Sequence, residues 1–255
     1  MTKILVTGAS GFLGKHLVKT LRRHIGGYIV GTSLQSTKPS SDVWWGEDPE
    51  LYQECYLNLE NEEAVRLFLL RFKPDIIYHL AANPHVREDA NNPTGITKTN
   101  IQATHNLLAW APKGSSFILA SSAAVYGDSK NECVETDLPA PTSVYGATKA
   151  ACESLVNAYT AQGKVLGTSL RFTNLVGSGM THGVVLDIIN KLKSSRDYYL
   201  ELYGNAPGSY RQFVHVSDAS YGATVLARRF ATNNERVSHG AENTAASDRI
   251  RIDQV

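Results

Sequence analysis

A chain of 255 residues, 42% hydrophobic and 19% charged, has enough apolar side chains to bury one large core or two small ones. Its formal net charge of +1 gives no footprint for nucleic acid or for an anionic membrane surface. Three cysteines, Cys55, Cys133 and Cys152, are too few and too scattered for a disulfide framework or a zinc site, and no apolar run reaches the length of a membrane span.

Reduced thiols point to a cytoplasmic setting. The N-terminus enters a strand and a glycine turn at once, with no apolar signal region. Lys3 to Thr7 is a short apolar run ending at Gly8 and reads as a buried strand. Phe12, Leu13, Leu17, Val18 and Leu21 recur at helical spacing, so a helix runs to about His24, where Arg22 and Arg23 suit its negative pole. Gly26-Gly27 breaks it, and Tyr28 to Gly31 reads as a second strand. Leu34 to Glu50, rich in Ser, Pro and Trp, reads as loop; its Trp44 and Trp45 either cover a base or anchor the loop. Glu54 to Leu57 is a third strand, and Ala64 to Leu69 a helix stopped by Pro74. Asp75 to Leu80 is a strand, Thr97 to Ala111 a helix stopped by Pro112, and Ser116 to Ser121 a strand. A helix follows over Val144–Ala161, then a strand over Val165–Leu170.

This alternation predicts an α/β fold: a doubly wound parallel sheet with helices on both faces and right-handed crossovers. After Arg171 the pattern loosens. Val184 to Leu192 reads as helical, Tyr198 to Tyr203 and Gln212 to Val216 as strand-like, and Ser217 to Phe230 as helical. Thr232 to Val255 is polar and weakly patterned.

Gly8, Gly11 and Gly14 fall at the first strand–helix junction. Glycines there permit a tight turn, a close approach of backbone N–H groups to a pyrophosphate, and packing of helix on strand. The helix N-terminus adds a field that favours anions. A carboxylate expected at the end of the second strand would bind ribose hydroxyls. Thr32 and Ser33 stand there instead, which weakens the case for NAD over NADP; Lys38 is placed to meet a 2′-phosphate or simply to be solvated.

Tyr145 and Lys149 are four residues apart and share one helix face. A free phenol, with a pKa of about 10, is a poor base at neutral pH; a neighbouring ammonium stabilises the phenolate. Ser121-Ser122 ends a buried strand, where open α/β sheets bind ligands. The serine there either hydrogen-bonds the hydroxyl that the tyrosine deprotonates or caps the strand. His79, His85 and His215 lack the carboxylate or cysteine spacing of a metal site, so no metal is expected.

With these motifs in place the chain resembles the extended short-chain dehydrogenase/reductases, and within them the nucleotide-sugar epimerases and dehydratases, such as UDP-glucose 4-epimerase. The matching segments are Thr7–Gly14 (TGASGFLG), His79–Ala82 (HLAA), Ser121–Gly127 (SSAAVYG), Tyr145–Lys149 (YGATK), Arg171–Gly177 (RFTNLVG) and Arg211–Ala219 (RQFVHVSDA), in family order. The resemblance implies a dinucleotide-binding Rossmann domain over 1–172, and over 173–255 a mixed region with segments of a substrate lobe and returning sheet elements. Family members usually run past 300 residues, so a thin, truncated substrate lobe is expected. It implies Ser122, Tyr145 and Lys149 as the catalytic set. NAD, or NADP as the alternative, would lie against Gly8, Gly11, Phe12, Leu13, Gly14, Thr32 and Ser33. Further along it would meet Asn58 and Leu59, then Leu80, Ala81, Ala82 and Asn100, and finally Tyr145 and Lys149. A nucleoside-diphosphate sugar would meet Ser122, Ala123, Asn174 and Arg211, with Arg211 towards the diphosphate. A homodimer through 97–111 and 144–161 follows by the same analogy.

The dehydratases of this family carry an Asp-Glu pair after the serine or threonine; here Ala123-Ala124 fill that place. Alanine neither donates nor accepts a proton, so the resemblance favours epimerisation at C4. In that reaction Tyr145 removes the 4-hydroxyl proton, NAD takes a hydride, and the hydride returns to the opposite face. An NADPH-dependent reductase of a 4-keto-6-deoxy sugar nucleotide is the alternative, supported by the missing acid at Thr32-Ser33. A non-catalytic nucleotide-binding relative is the third reading, opposed by the intact Ser122–Tyr145–Lys149 set.

Overall fold

Strand β1 (Lys3–Thr7) ends at Gly8, whose φ of 68° turns the chain straight into helix α1 (Phe12–His24). The turn is pinned to strand β2 (Tyr28–Ser33): the amides of Gly8 and Ala9 both donate to the carbonyl of Thr32, at 2.8 and 3.2 Å. The computed structural model describes residues 1–36, 52–84, 93–129, 132–194, 210–232, 240–245 and 250–251. Lys38, Trp44, Trp45, His85 and the expected strand Tyr198–Tyr203 lie outside them.

Beyond β2 come β3 (Tyr52–Tyr56), α2 (Glu62–Phe72) and β4 (Ile76–His79). Helix α2 is capped by Asn61, which accepts from the Ala64 amide at 3.0 Å, and it ends at Lys73 in the left-handed region just before Pro74. The expected helix over 97–111 begins earlier and is composite: α3 (Pro93–Thr97), a π-helical turn (Lys98–Gln102) and α4 (Ala103–Trp110). Next come β5 (Ser115–Ser122), a 3₁₀ turn (Ala123–Tyr126), α5 (Val144–Ala161) and β6 (Val165–Phe172). The remainder comprises β7 (Asn174–Val176), α6 (Val184–Ser194), β8 (Tyr210–Arg211), β9 (Phe213–His215), α7 (Val216–Thr232), β10 (Ala241–Thr244) and β11 (Ile250–Arg251).

Seven strands form one parallel sheet in the order β10-β6-β5-β4-β1-β2-β3. This is the doubly wound Rossmann arrangement, and it reverses direction between β1 and β4. Alternate side chains supply the two faces. Leu5, Val30, Ile77 and Phe117 join Phe68, Leu107 and Val156 under α2, α4 and α5. Ile4, Ile29, Tyr78 and Ile118 join Leu17, Leu21, Ala223 and Leu226 under α1 and α7. Both faces are covered, which explains why the strands read as unbroken apolar runs. The polar segment Ala241–Thr244 supplies the seventh strand, in register with Ser169–Phe172 of β6. Two small pairs, β7 with β9 and β8 with β11, lie outside the main sheet. No helix of the described residues is long and apolar enough to cross a membrane.

Candidate functional site

A cavity of about 540 Å³ opens along the carboxyl ends of the parallel strands, the place where doubly wound sheets take ligands. Gly8, Gly11, Phe12, Leu13 and Gly14 line one stretch; Thr32, Ser33, Asn58 and Leu59 line another. Leu80, Ala81, Ala82, Ser122, Tyr145 and Lys149 line a third, and Asn174 also borders the cavity.

Gly8 and Gly14 leave no room for a side chain. A Cβ on Gly8 would lie 2.9 Å from the backbone of Ala81, and one on Gly14 would lie 2.2 Å from the Gly8 carbonyl oxygen. The first turn of α1 has no side-chain cap at its N-cap, Gly11. Backbone amides at a helix N-terminus, beside a long cavity and clear of side chains, fit a pyrophosphate. The rest of the lining mixes apolar side chains with polar ones such as Thr32, Ser33, Asn58 and Asn174, which fits the two ends of a dinucleotide.

Ser122, in extended conformation at the end of β5, caps the 3₁₀ turn by accepting from the Ala124 amide at 3.2 Å. Tyr145 sits in the first turn of α5, whose N-cap Ser143 accepts from the Gly146 amide at 3.0 Å. A Cβ on Gly146 would lie 2.5 Å from the Ala124 carbonyl oxygen, so glycine lets the turn after Ser122 press directly on the start of α5. Lys149, one helical turn on and only 4% exposed, donates to the Ala120 carbonyl at 2.7 Å. Its ammonium lies 5.8 Å from the centre of the Tyr145 ring. The phenol therefore stands in the field of two positive sources, the helix N-terminus and Lys149.

Behind this wall runs a buried hydrogen-bond chain. Thr7 Oγ1 accepts from the Ala81 amide at 3.2 Å and lies 2.8 Å from His79 Nδ1; His79 Nε2 lies 3.0 Å from Thr104 Oγ1. The Thr7 hydroxyl proton is therefore donated to Nδ1, and the network assigns the proton of neutral His79 to Nε2. Burial, followed by the nearby Lys149 charge, lowers the His79 pKa to about 3. The imidazole is thus a neutral strut that fixes the Leu80–Ala82 wall. Burial likewise pushes the Cys152 thiol up, with the Thr104 hydrogen bond opposing.

Three expected residues stand elsewhere. Asn100, in the π-helical turn, is 1% exposed and does not line the cavity. It accepts from the Asn83 amide at 2.8 Å and donates to Thr148 Oγ1 at 3.0 Å; the widened turn carries it inward, where it braces the wall. Ala123 begins the 3₁₀ turn and does not line the cavity. Arg211 is exposed on β8, where its guanidinium donates to the Tyr210 carbonyl at 3.1 Å, and it too is absent from the lining. Conversely, Met180, His182, Val184, Val185 and Phe213 border the cavity without having been singled out from the sequence. The one local hint is the glycine pair Gly177 and Gly179 with Gly183, which marks 177–183 as a loop before α6. Also unanticipated is a buried ion pair, Arg171 Nη2 to Glu153 Oε2 at 2.8 Å. Burial works against the Arg171 charge, but its bonds to Glu153 and Tyr126 carry its pKa above the usual value. Glu153 follows Lys149 at i+4, which is the signal that puts it on the same helix face. Among the described residues no group of histidine, cysteine and carboxylate side chains is gathered to hold a metal ion.

A seven-stranded doubly wound sheet with a tight glycine turn at its switch point, and a serine, tyrosine and lysine on one cavity wall, defines a nucleotide-cofactor-dependent short-chain dehydrogenase/reductase. Residues 4–238 match the NAD dependent epimerase/dehydratase family, and the chain belongs to it. NAD is the cofactor of that family. A Bacillus subtilis relative described as the uncharacterized UDP-glucose epimerase YtcB is 29% identical, covering 96% of this chain and 78% of its own length. A solved UDP-galactose 4-epimerase is similar at a TM-score of 0.77 and 28% identity, over 98% of this chain and 79% of that one. MoeE5, solved in complex with UDP-glucose and NAD, is similar at a TM-score of 0.78 and 26% identity, over 98% and 78% of the two chains.

Proposed function

We propose that this protein epimerises a nucleoside-diphosphate sugar at C4, with NAD held along the cavity from Gly8–Gly14 to Lys149. The observation that carries the proposal is the convergence of Ser122, Tyr145 and Lys149 on one wall of the cavity that begins at the glycine turn. NAD, when bound, supplies the acceptor and donor of hydride at C4. Tyr145 takes the proton of the 4-hydroxyl as that carbon becomes a carbonyl, and returns it after the sugar has turned. Ser122 hydrogen-bonds the same oxygen. Lys149, fixed by Ala120, holds positive charge beside the phenol and would help hold the cofactor when it is bound. Ala123-Ala124 place no carboxylate directly after Ser122, which disfavours water elimination by carboxylates at that place.

Residues 1–172 then form the cofactor half, and segments of 173–255 around Asn174 and Val184 meet the sugar nucleotide. Helix α7, packed on the sheet, and strand β10, paired with β6, keep that second stretch tied to the main sheet. A homodimer through 97–111 and 144–161 and a cytoplasmic location belong to the same reading, the latter in keeping with Cys55, Cys133 and Cys152 forming no disulfide.

The test is incubation with UDP-glucose or UDP-galactose and NAD, followed by NMR. Interconversion without net change in NADH supports epimerisation. The second reading, an NADPH-dependent reductase of a 4-keto-6-deoxy sugar nucleotide, is favoured by Thr32 and Ser33 standing in place of an acid. NADPH consumption with such a substrate, and no interconversion, would replace the first reading by the second.

A further inference from the structure

Behind the cavity wall lies a polar cluster that the proposed reaction does not use. Glu153 stands one turn of α5 beyond Lys149 and two turns beyond Tyr145, and is 4% exposed. Its carboxylate accepts from Ser121 Oγ at 2.5 Å, from Arg171 Nε at 3.0 Å and from Arg171 Nη2 at 2.8 Å. Ser121 lines the cavity and immediately precedes Ser122 on β5. Arg171 lies on β6, 5% exposed, and its Nη1 donates to the Tyr126 hydroxyl at 2.7 Å. Tyr126 closes the 3₁₀ turn that starts after Ser122, with its ring 4.7 Å from the Arg171 guanidinium carbon. The Tyr126 hydroxyl in turn donates to Asn243 Oδ1 of β10 at 2.7 Å.

The Glu153 carboxylate thus ties α5 to the end of β5 directly, and through Arg171 to the turn between them. Desolvation of two buried charges offsets much of their attraction, so such a pair supplies direction more than net stability. Apolar contacts alone let a helix roll or slide on a sheet, whereas directed, charge-assisted bonds of this length do not.

We infer that Glu153, paired with Arg171, is a positioning residue: it sets the roll and axial position of α5 against β5, and so keeps Tyr145 and Lys149 in register with Ser122. The inference rests on the proposed roles of those three residues. Glu153 itself touches neither cofactor nor substrate and acts through Ser121 and through the helix.

The experiment compares wild type with Glu153→Leu/Arg171→Met, which removes both charges together and leaves neither unpaired, and with Glu153→Gln, which keeps an oxygen for Ser121. Thermal midpoint, NAD affinity, kcat and KM for UDP-galactose are measured, with the ring ¹³C resonance of Tyr145 assigned through Tyr145→Phe. A folded double variant with unchanged NAD affinity and KM should lose roughly 10- to 100-fold in kcat, the span expected for reacting groups displaced by about an ångström. Its Tyr145 resonance should shift or broaden, and Glu153→Gln should lie between the two. Wild-type kcat with an unmoved resonance overturns the inference, as does a loss confined to KM or to NAD affinity. Where the double variant fails to fold, Ser121→Ala, which cuts one bond and spares the ion pair, is judged by the same kcat, KM and resonance. If wild type turns over no nucleotide sugar, the epimerase proposal fails by itself; the Tyr145 resonance of the variants still decides the positioning role, and an unmoved signal overturns it.

Discussion

Lys149 Nζ donates to the carbonyl oxygen of Ala120 at 2.7 Å, two residues before Ser122 on the same strand. The bond joins the cation of α5 to the strand end that carries the serine, at a site where Lys149 is almost wholly buried. Two replacements separate its roles. Tyr145→Phe keeps the ring and removes the exchangeable proton, so turnover should fall about 10²- to 10⁴-fold with NAD still bound. Lys149→Met keeps the buried stem but removes the charge and the bond to the Ala120 carbonyl; it should lower both turnover and thermal midpoint. Steady-state kinetics and calorimetry on the two variants check this. Near-normal turnover in Tyr145→Phe would refute its role.

The glycines of the first turn should fail in different ways. At Gly14 an added Cβ lies 2.2 Å from a carbonyl oxygen and 2.8 Å from the Ala9 Cα, both backbone and unable to yield. Gly14→Ala should therefore destabilise the fold by about 1–3 kcal/mol, the usual range for overpacking. At Gly11 the nearest atom is 3.1 Å away and φ is ordinary. Gly11→Val should lower the thermal midpoint less than Gly14→Ala does, while its branches fill the path of the pyrophosphate and abolish NAD binding. Titration with NAD and a melting curve on each variant distinguish the two. Wild-type NAD affinity in Gly11→Val would remove the cofactor from this turn.

NAD should bind more tightly than NADP. Thr32, Ser33, Leu34 and Gln35 line the cavity at the end of β2, and Ser33 Oγ already accepts from the Gln35 and Ser36 amides at 2.9 and 3.2 Å. Among the described residues no lysine or arginine lines the cavity there to pair with a 2′-phosphate. A missing charge-assisted hydrogen bond is worth about 1.5–3 kcal/mol, hence roughly tenfold or more in affinity. Calorimetric titration with both cofactors checks the order. Tighter binding of NADP would shift the reading towards the reductase.

His79 should make stability acid-sensitive. Its folded pKa of about 3 lies below the ordinary 6.5, because of burial and then Lys149. The unfolded chain therefore binds the extra proton between these values. The contribution of neutral His79 is fully present above pH 6.5 and is lost progressively as the pH falls towards 3. Between pH 7 and pH 5 the loss from this residue amounts to about 2 kcal/mol. Urea midpoints across that window should fall for wild type and stay flatter for His79→Gln, which is less stable at pH 7. Parallel slopes for the two proteins would show that His79 is not held neutral.

Much of this protein was legible in one dimension because the signals are short-range. Apolar runs, helical spacing and the breakers Gly26-Gly27, Pro74 and Pro112 place most helices and sheet strands within a few residues, and α5 matches at both ends. Gly8, Gly11 and Gly14 mark a turn because backbone sterics are local. Tyr145 and Lys149 share a face because four residues make about one helical turn. What depends on partners far along the chain was decided only by the tertiary structure. Ala241–Thr244 has no apolar pattern, and it is a strand because β6 leaves an open edge beside it. Asn100 reads as a cavity residue until the π-helical turn carries it inward to Thr148 and Asn83. Arg211 lies outside the cavity lining, exposed on β8, whose pairing with the distant β11 no local pattern announces. Glu153 and Arg171 become one unit only when α5 packs on β5 and β6, since burial makes each charge depend on the other, and no local periodicity records a contact of that kind.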